Sequence, residues 1–456
     1  MTQVTGALAG QLRERLRGQV WERHDDGYDT VRKVWNGAVD LEPAVVARCA
    51  DVNDVRTAIL LAREHEIPQS VRGGGHDWAG RAIRPDGLVL DLSGLRAVRV
   101  DPDAAVAEAQ GGALIADLVD PAAALGLGTA TGVVRGVGMA GMTMSGGYGG
   151  LIGRFGLALD NLLSADVVLA DGRVVTAGPD NEPELYWALR GGGGNFGVVT
   201  AARYRLHPLG LVHGGMVLYP FEQAHQVLRG YREVLATAPD ELTVAAGFLT
   251  GPAGPAVFVM PTWGGDQADG EAAVAPLSRL GTPLFSGVSL MPYPNMLRLF
   301  DAGMAQVDRF ALGTRWLPEL TDDAIAALAE GTLSRPSPFS LVLLHQFHGA
   351  ASRVSPDATA FAVRQEHLLA EVIAAWQPGP AGQDPASTAA PHRRWVDEVS
   401  SALAPGALPG GYPNILGPED AERASLGYGR NAARLLAAKQ SYDPDGVFTA
   451  IGAISQ

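Results

Sequence analysis

Three glycine runs and a few isolated polar side chains carry the chemistry open to this sequence. The first run is Arg72-Gly73-Gly74-Gly75-His76-Asp77-Trp78, after the strand-like Gln69–Arg72. Consecutive glycines let backbone N–H groups converge on an anion without side-chain clash, which makes a phosphate cradle. A histidine ending such a loop stands beside whatever the loop holds; the plainer reading is a tight turn with a surface histidine. The second run, Gly136-Val137-Gly138-Met139-Ala140-Gly141, formally matches G-x-G-x-x-G. That fingerprint needs a buried strand before it and a helix after it. The preceding segment, GLGTATGVVR, is a poor buried strand, and glycine continues through Gly146, Gly147, Gly149 and Gly150. A nicotinamide Rossmann site is therefore rejected, and packing of small residues against a flat ring system suits the segment better. The third run is Arg190 to Gly197.

Tyr412-Pro413-Asn414, Tyr428-Gly429-Arg430-Asn431 and Tyr442-Asp443-Pro444 follow near the end, each by itself a turn or a capped helix. Leu341–His348 (LVLLHQFH) is apolar enough to be a core strand. Alternation puts Gln346 and His348 on one face and His345 on the other. A polar group inside such a strand needs a partner or a function, so a satisfied core histidine stands beside a proton acceptor as a reading. His345-x-x-His348 has no acidic third ligand nearby, and no metal site is expected.

The elements that position these groups alternate between strand and helix over the first 210 residues. Asp51 can cap a helix carrying Val52, Val55 and Ile59, between the apolar run Ala44–Cys49 and the strand Gln69–Arg72. Leu88–Leu92 is a further strand, Asp101-Pro102-Asp103 signals a hairpin, and Asp171-Gly172 a two-residue turn. Glycine clusters stop after Pro208 and two β-α-β stretches follow, Gly215–Leu249 and Ala256–Leu290. Gln377–Pro391 reads as a Pro/Gly/Ala loop or linker, and Ala421–Gln440 as a helical tail.

Composition narrows the classes. Of 456 residues, 35 are basic and 49 acidic, a formal charge of −14 that argues against a nucleic-acid partner. One cysteine, Cys49, excludes a disulfide framework and a cysteine-based metal cluster. No run of 18 apolar residues predicts a membrane span, and no apolar stretch after the basic start predicts a signal peptide, so a cytoplasmic location is expected.

Taken in order, the motifs resemble those of the FAD-linked oxidases of the vanillyl-alcohol-oxidase type, in the berberine-bridge-enzyme-like branch. The family shares R-[GS]-G-G-H, then a T-G…V-G-x-x-G…G-G segment, then E-L-x-W-A-[LV]-R-G-x-G-x-N-F-G-V-V-T, then Y-x-N and Y-G-x-N…K…Y-D-P. Here these are Arg72–His76, Thr131 to Gly147, Glu184 to Thr200, Tyr412–Asn414, and Tyr428 through Asn431 and Lys439 to Phe448. The resemblance runs over essentially the whole chain. It departs at the family's terminal N-x-I, which is Ala453-Ile454 here.

The resemblance implies an α+β, two-domain FAD-binding fold. Residues 1–208 and the returning segment 411–456 would form the FAD-binding domain, with 209–410 inserted as a substrate-binding domain on an antiparallel sheet covered by helices on one side. Arg72, Gly73, Gly74, Gly75 and Asp77 would hold the cofactor, and His76 would be bonded to it covalently. Many relatives add a cysteinyl bond two residues after the T-G glycine; that position is Val134 here, so a single tether is expected. Thr131, Gly132, Gly138, Gly141, Ser145 and Gly147 match the segment passing the flavin, Gly197 and Val199 the adenine end, and Asn414 and Asn431 the returning positions. The implied activity is oxidation of a small organic molecule at an alcohol or amine C–H, with hydride passing to flavin N5 and electrons to molecular oxygen. Oxidative cyclisation or oxygenation in secondary metabolism, and non-catalytic flavin binding, are the competing readings. Tyr412 and the Gln346/His348 face are the candidate proton acceptors.

Overall fold

The computed structural model describes residues 2–301, 305–380 and 382–449; Ala453 and Ile454 lie outside the described residues. Three sheets of four or more strands organise the described residues, beside one short two-stranded pair. In the first, the strands Val45–Arg48 and Gln69–Arg72 flank Leu88–Asp91 in parallel, and Gln19–Glu22 adds antiparallel at the edge. The helix Val52–Glu64 makes the crossover, with the Asp51 carboxylate accepting from the backbone N–H groups of Asn53 and Asp54. Its buried Val55, Ala58 and Ile59 pack with Val45, Leu88 and Leu90, the stripe the spacing predicts.

The second sheet is antiparallel, in the order Val98–Asp101, Val106–Gln110, Val198–Arg205, Leu162–Val168, Val174–Ala177. Gly172 takes φ 83° in the turn joining the last two in sequence, as the Asp-Gly pair predicts.

The third sheet is antiparallel and larger. Its core runs Val217–Pro220, Gly254–Trp263, Leu242–Gly251, Leu341–Phe347, His367–Trp376, Arg309–Leu317. One face is covered by the helices Ala224–Leu235, Asp322–Leu333 and Pro385–Ala402: Leu228, Tyr231, Leu328, Trp395 and Val399 pack against Val342, Leu344 and Val372. The other face turns Leu341, Leu343, His345, Glu371, Ile373 and Ala375 toward a large cavity. The period-2 alternation of a strand separates the two sets.

Two local expectations are corrected. The stretch Gln377–Pro391 is not all loop. From Pro385 it is helical, because the Asp384 carboxylate caps Ala386 and Ser387 N–H and proline is tolerated at the first helical position. The tail is two helices, Ala421–Tyr428 and Ala432–Tyr442, broken where Gly429 takes φ 48°. The tail packs on the N-terminal half. Phe448 joins the core of Val45 and Leu88, and Lys439 Nζ donates to the Asn195 and Phe448 carbonyls at 2.7 Å each.

Candidate active site

The glycine runs converge on one cavity of about 710 Å³. Its walls are the loop Gly73–Asp77, the segment from Gly132 to Ser145, Gly197 and Val199, the pair Tyr412 and Asn414, and the open face of the third sheet. This volume lies within the usual range for small-molecule and cofactor sites.

The glycines are needed because backbones cross here at contact distance. A Cβ on Gly74 would stand 2.4 Å from the Gly138 nitrogen and 2.6 Å from its Cα. Gly75 takes φ 67°, a region costly for other residues. His76 follows on the cavity wall, and burial pushes its imidazole down to about 4, so it is neutral at physiological pH. Asp77 also lines the cavity and accepts from Arg81 Nε at 2.9 Å.

Arg72 takes a different place from the one its motif implied. Its guanidinium does not line the cavity. It pairs with buried Asp91, Nη2 to Oδ2 at 2.7 Å and Nε to Oδ1 at 3.3 Å, and donates to the Val31 and Lys33 carbonyls. It braces the root of the glycine loop against the neighbouring strand.

The short helix Met139–Ser145 ends where Gly146 and Gly147 take φ 151° and 93°, which is why the glycine run stops it. Gly132, Gly138, Gly141 and Ser145 line the cavity. Thr131 is fully buried behind it, and its carbonyl would meet a Cβ on Gly149 at 2.1 Å. Asn431 is also remote: its amide donates to the Pro356 and Thr359 carbonyls at 2.7 and 3.0 Å. It ties a loop down and does not line the cavity.

Tyr412 and Asn414 come together with Gly147. The Tyr412 hydroxyl oxygen accepts from Gly147 N–H at 2.9 Å and from Asn414 Nδ2 at 2.9 Å. Burial pushes the phenol up to about 12, against the pull of those two donors. With its oxygen already accepting twice, the O–H is left to meet a group in the cavity. Tyr148, also on the wall, packs edge-on to Tyr412 with ring centroids 5.0 Å apart.

On the third sheet the face expected to carry chemistry does not line the large cavity. Gln346 Oε1 accepts from Val244 N–H at 3.0 Å, and His348 Nε2 lies 3.2 Å from Thr243 Oγ1. Neither lines the large cavity. The opposite parity does: His345 Nε2 is 3.5 Å from Glu371 Oε2, and both residues face the cavity. Sequence reasoning missed Glu371. Its signal was an acid inside the apolar strand HLLAEVIAAW, which calls for the question already put to His345 and His348.

The residues present fit a large cofactor with phosphate and ring parts. Ser145 Oγ and Gln69 Oε1 are buried with no hydrogen-bond partner among the described residues, and both residues line the cavity. Buried polar groups in native proteins are otherwise paired. No cluster of metal-binding side chains occurs among the described residues.

A family model described as an FAD binding domain matches residues 43–178. An uncharacterised FAD-linked oxidoreductase of Bacillus subtilis is 27% identical over 442 residues, 95% of this chain and 96% of that protein. This chain is an FAD-linked oxidoreductase with an FAD-binding domain. The (R)-6-hydroxynicotine oxidase of Paenarthrobacter nicotinovorans is 39% identical over 194 residues, 42% of each chain. The crystal structure of 6-hydroxy-D-nicotine oxidase from Arthrobacter nicotinovorans superposes with a TM-score of 0.85 at 26% identity, covering 96% of the oxidoreductase and 98% of that chain. The mixed helix-and-sheet fold expected from the sequence is that of these flavoproteins. Among its described residues the oxidoreductase has no helix long and apolar enough to cross a membrane.

Proposed function

We propose that this oxidoreductase is an oxidase that holds FAD through one bond to His76 and oxidises a small, mainly apolar alcohol or amine, with molecular oxygen as the electron acceptor. Residues 1–208 and 411–456 would form the FAD domain and 209–410 the substrate domain. Gly73, Gly74 and Gly75, with Gly132, Gly138, Gly141 and Ser145, would hold the cofactor. Bound FAD supplies the hydride acceptor at N5.

The observation that carries the reading is Tyr412: a phenol on the cavity wall whose oxygen takes two N–H donors, from Gly147 and Asn414. Those donors stabilise negative charge on that oxygen as an oxyanion site does. At neutral pH the phenol is protonated, so it serves as a shuttle. It takes the substrate's O–H or N–H proton as its own proton moves on toward the Glu371–His345 pair. Glu371 has no lysine or arginine within ion-pair distance among the described residues, its one ionisable partner being His345. A carboxylate in an apolar cavity favours a weakly basic substrate, because a buried charge seeks a partner. Leu249, Phe300, Phe339 and Ile373 supply apolar wall for the rest.

The test is anaerobic. Purified protein is mixed with (R)-6-hydroxynicotine as an amine probe and benzyl alcohol as an apolar alcohol probe, then with a wider panel, and flavin bleaching is followed. Bleaching followed by peroxide release in air, with a simply dehydrogenated product, supports an oxidase. A cyclised product, whose two electrons also leave as peroxide, or an oxygenated product with less than one peroxide per turnover supports the cyclase or oxygenase reading. No bleaching by any donor would leave a flavin-binding protein without catalysis. Acid-precipitated protein should stay yellow, and a colourless pellet would remove the tether from the proposal.

A further inference from the structure

The ring of His76 lies flat against the indole of Trp35, with centroids 4.0 Å apart and planes 17° apart. The other face of that indole lies flat on Phe310, at 3.9 Å and 15°. Trp35 is thus the middle of a three-ring stack whose inner ring is on the cavity wall. The segment carrying it is held at both ends. Trp35 N–H donates to the Gly75 carbonyl at 3.0 Å, and Gly37 N–H to the Asp308 carbonyl at 2.5 Å. Between them the buried Asn36 amide completes a strand-like pair with Phe310, accepting from its N–H and donating to its carbonyl, both at 2.9 Å. The same amide donates to the Trp78 carbonyl at 2.6 Å. One short clasp therefore joins the edge strand Arg309–Leu317 of the third sheet to the loop that carries His76.

The imidazole has no side-chain hydrogen-bond partner among the described residues; the contacts affecting it are its own backbone and the charge of Asp77. Apart from that backbone contact, the stack is what fixes its plane among the described residues. Flat contact between aromatic rings at this spacing is attractive and restricts rotation about the ring's bond.

We propose that Trp35 is a positioning residue for the tether, presenting a ring nitrogen of His76 to the cavity in the orientation that forms the bond to FAD. The inference rests on the reading that His76 carries the flavin. In that step a C–N bond forms between an imidazole nitrogen and a methyl carbon of the ring system. The N–H and one C–H bond break, and both protons and two electrons pass into the ring system. Molecular oxygen then removes them as hydrogen peroxide. The rate of such a step depends steeply on the approach angle, and a misplacement of about 1 Å can cost roughly a hundredfold.

The experiment measures acid-stable flavin as a fraction of total flavin in purified protein, and its growth during incubation with FAD in air. Wild type, Trp35→Phe, Trp35→Leu and His76→Ala are compared at matched total flavin. Wild type and Trp35→Phe should be nearly fully tethered, because phenylalanine keeps a flat face. Trp35→Leu should bind FAD but tether it at least about tenfold more slowly, and His76→Ala should not tether at all. Should Trp35→Leu not fold, Phe310→Leu takes its place, since it removes the outer ring and leaves the cavity wall intact; it too should tether more slowly. A tethered wild type with leucine variants equally fast overturns the role of Trp35 alone. An untethered wild type overturns the reading of His76 and this inference with it.

Discussion

His345 Nε2 stands 3.5 Å from Glu371 Oε2 across two neighbouring strands of the third sheet. The pair is diagonal, since His345 opposes Leu369 and Glu371 opposes Leu343 in the register. Both side chains face the cavity. Replacing Glu371 by glutamine keeps the shape and removes the charge. An amine donor should then reduce the flavin at least about tenfold more slowly at low concentration, while a neutral alcohol donor is affected less. Stopped-flow reduction with both donor types distinguishes the outcomes, and equal losses would count against a charge-selective role.

Tyr412→Phe removes the hydroxyl that joins Gly147 and Asn414. A positioned proton acceptor contributes about 10²–10⁴ in rate. Anaerobic flavin reduction should slow by that order, with the flavin absorption spectrum intact. Asn414→Ala removes one of two donors and should cost less, about tenfold. His348→Ala should leave the reduction rate within about twofold of wild type, since that imidazole lies away from the cavity against Thr243.

Gly74 and Gly138 leave no space for a side chain, as a Cβ on either would stand within 2.6 Å of a backbone nitrogen of the other. Neither neighbour can give way by turning a side chain. Gly74→Ala should lower flavin content per chain severalfold and cost about 1–3 kcal/mol of stability. Absorbance ratios of purified protein and thermal unfolding read the two effects.

Asp91 is fully buried between Arg72 and Arg48. Burial alone would raise its pKa, but the hydrogen bonds and charge of Arg72, with Ser93 N–H and Arg48, outweigh it and hold the carboxyl below its ordinary value of 3.8. The folded state therefore binds this proton less readily than the unfolded state. The stabilisation is complete above pH ~4 and is lost as pH falls below that through the folded pKa. Asp91→Asn should cost about 3–5 kcal/mol at pH 7, because two guanidiniums lose their counter-ion. Urea unfolding of both proteins should show the gap closing below pH ~4; a gap independent of pH would contradict the assignment.

Much of this protein is legible in the chain itself. Glycine runs declare where backbones must approach closely, since no other residue tolerates the crossing of Gly74 with Gly138. The Asp51 cap and the apolar stripe of Val52–Glu64 are local facts of spacing and hydrogen bonding. The FAD-type motifs were readable for the same reason, because a phosphate cradle is built from consecutive residues.

What tertiary structure alone decided is which of two equivalent faces meets the cavity. Alternation along Leu341–Phe347 correctly separates His345 from Gln346, but from Val342 onward every residue of that strand is buried. Hydropathy cannot then say which side is which. Helices packed on Val342 and Leu344 took one face, and Gln346 and His348 were spent on partners there, leaving His345 and Glu371 to the cavity. Arg72 and Asn431 show the same limit: a motif names a residue type, while the partner that claims it, Asp91 or the Thr359 carbonyl, comes from another part of the fold. Trp35 carries no motif, and its place against His76 exists only because the edge strand at Phe310 closes the stack from 275 residues away in the sequence.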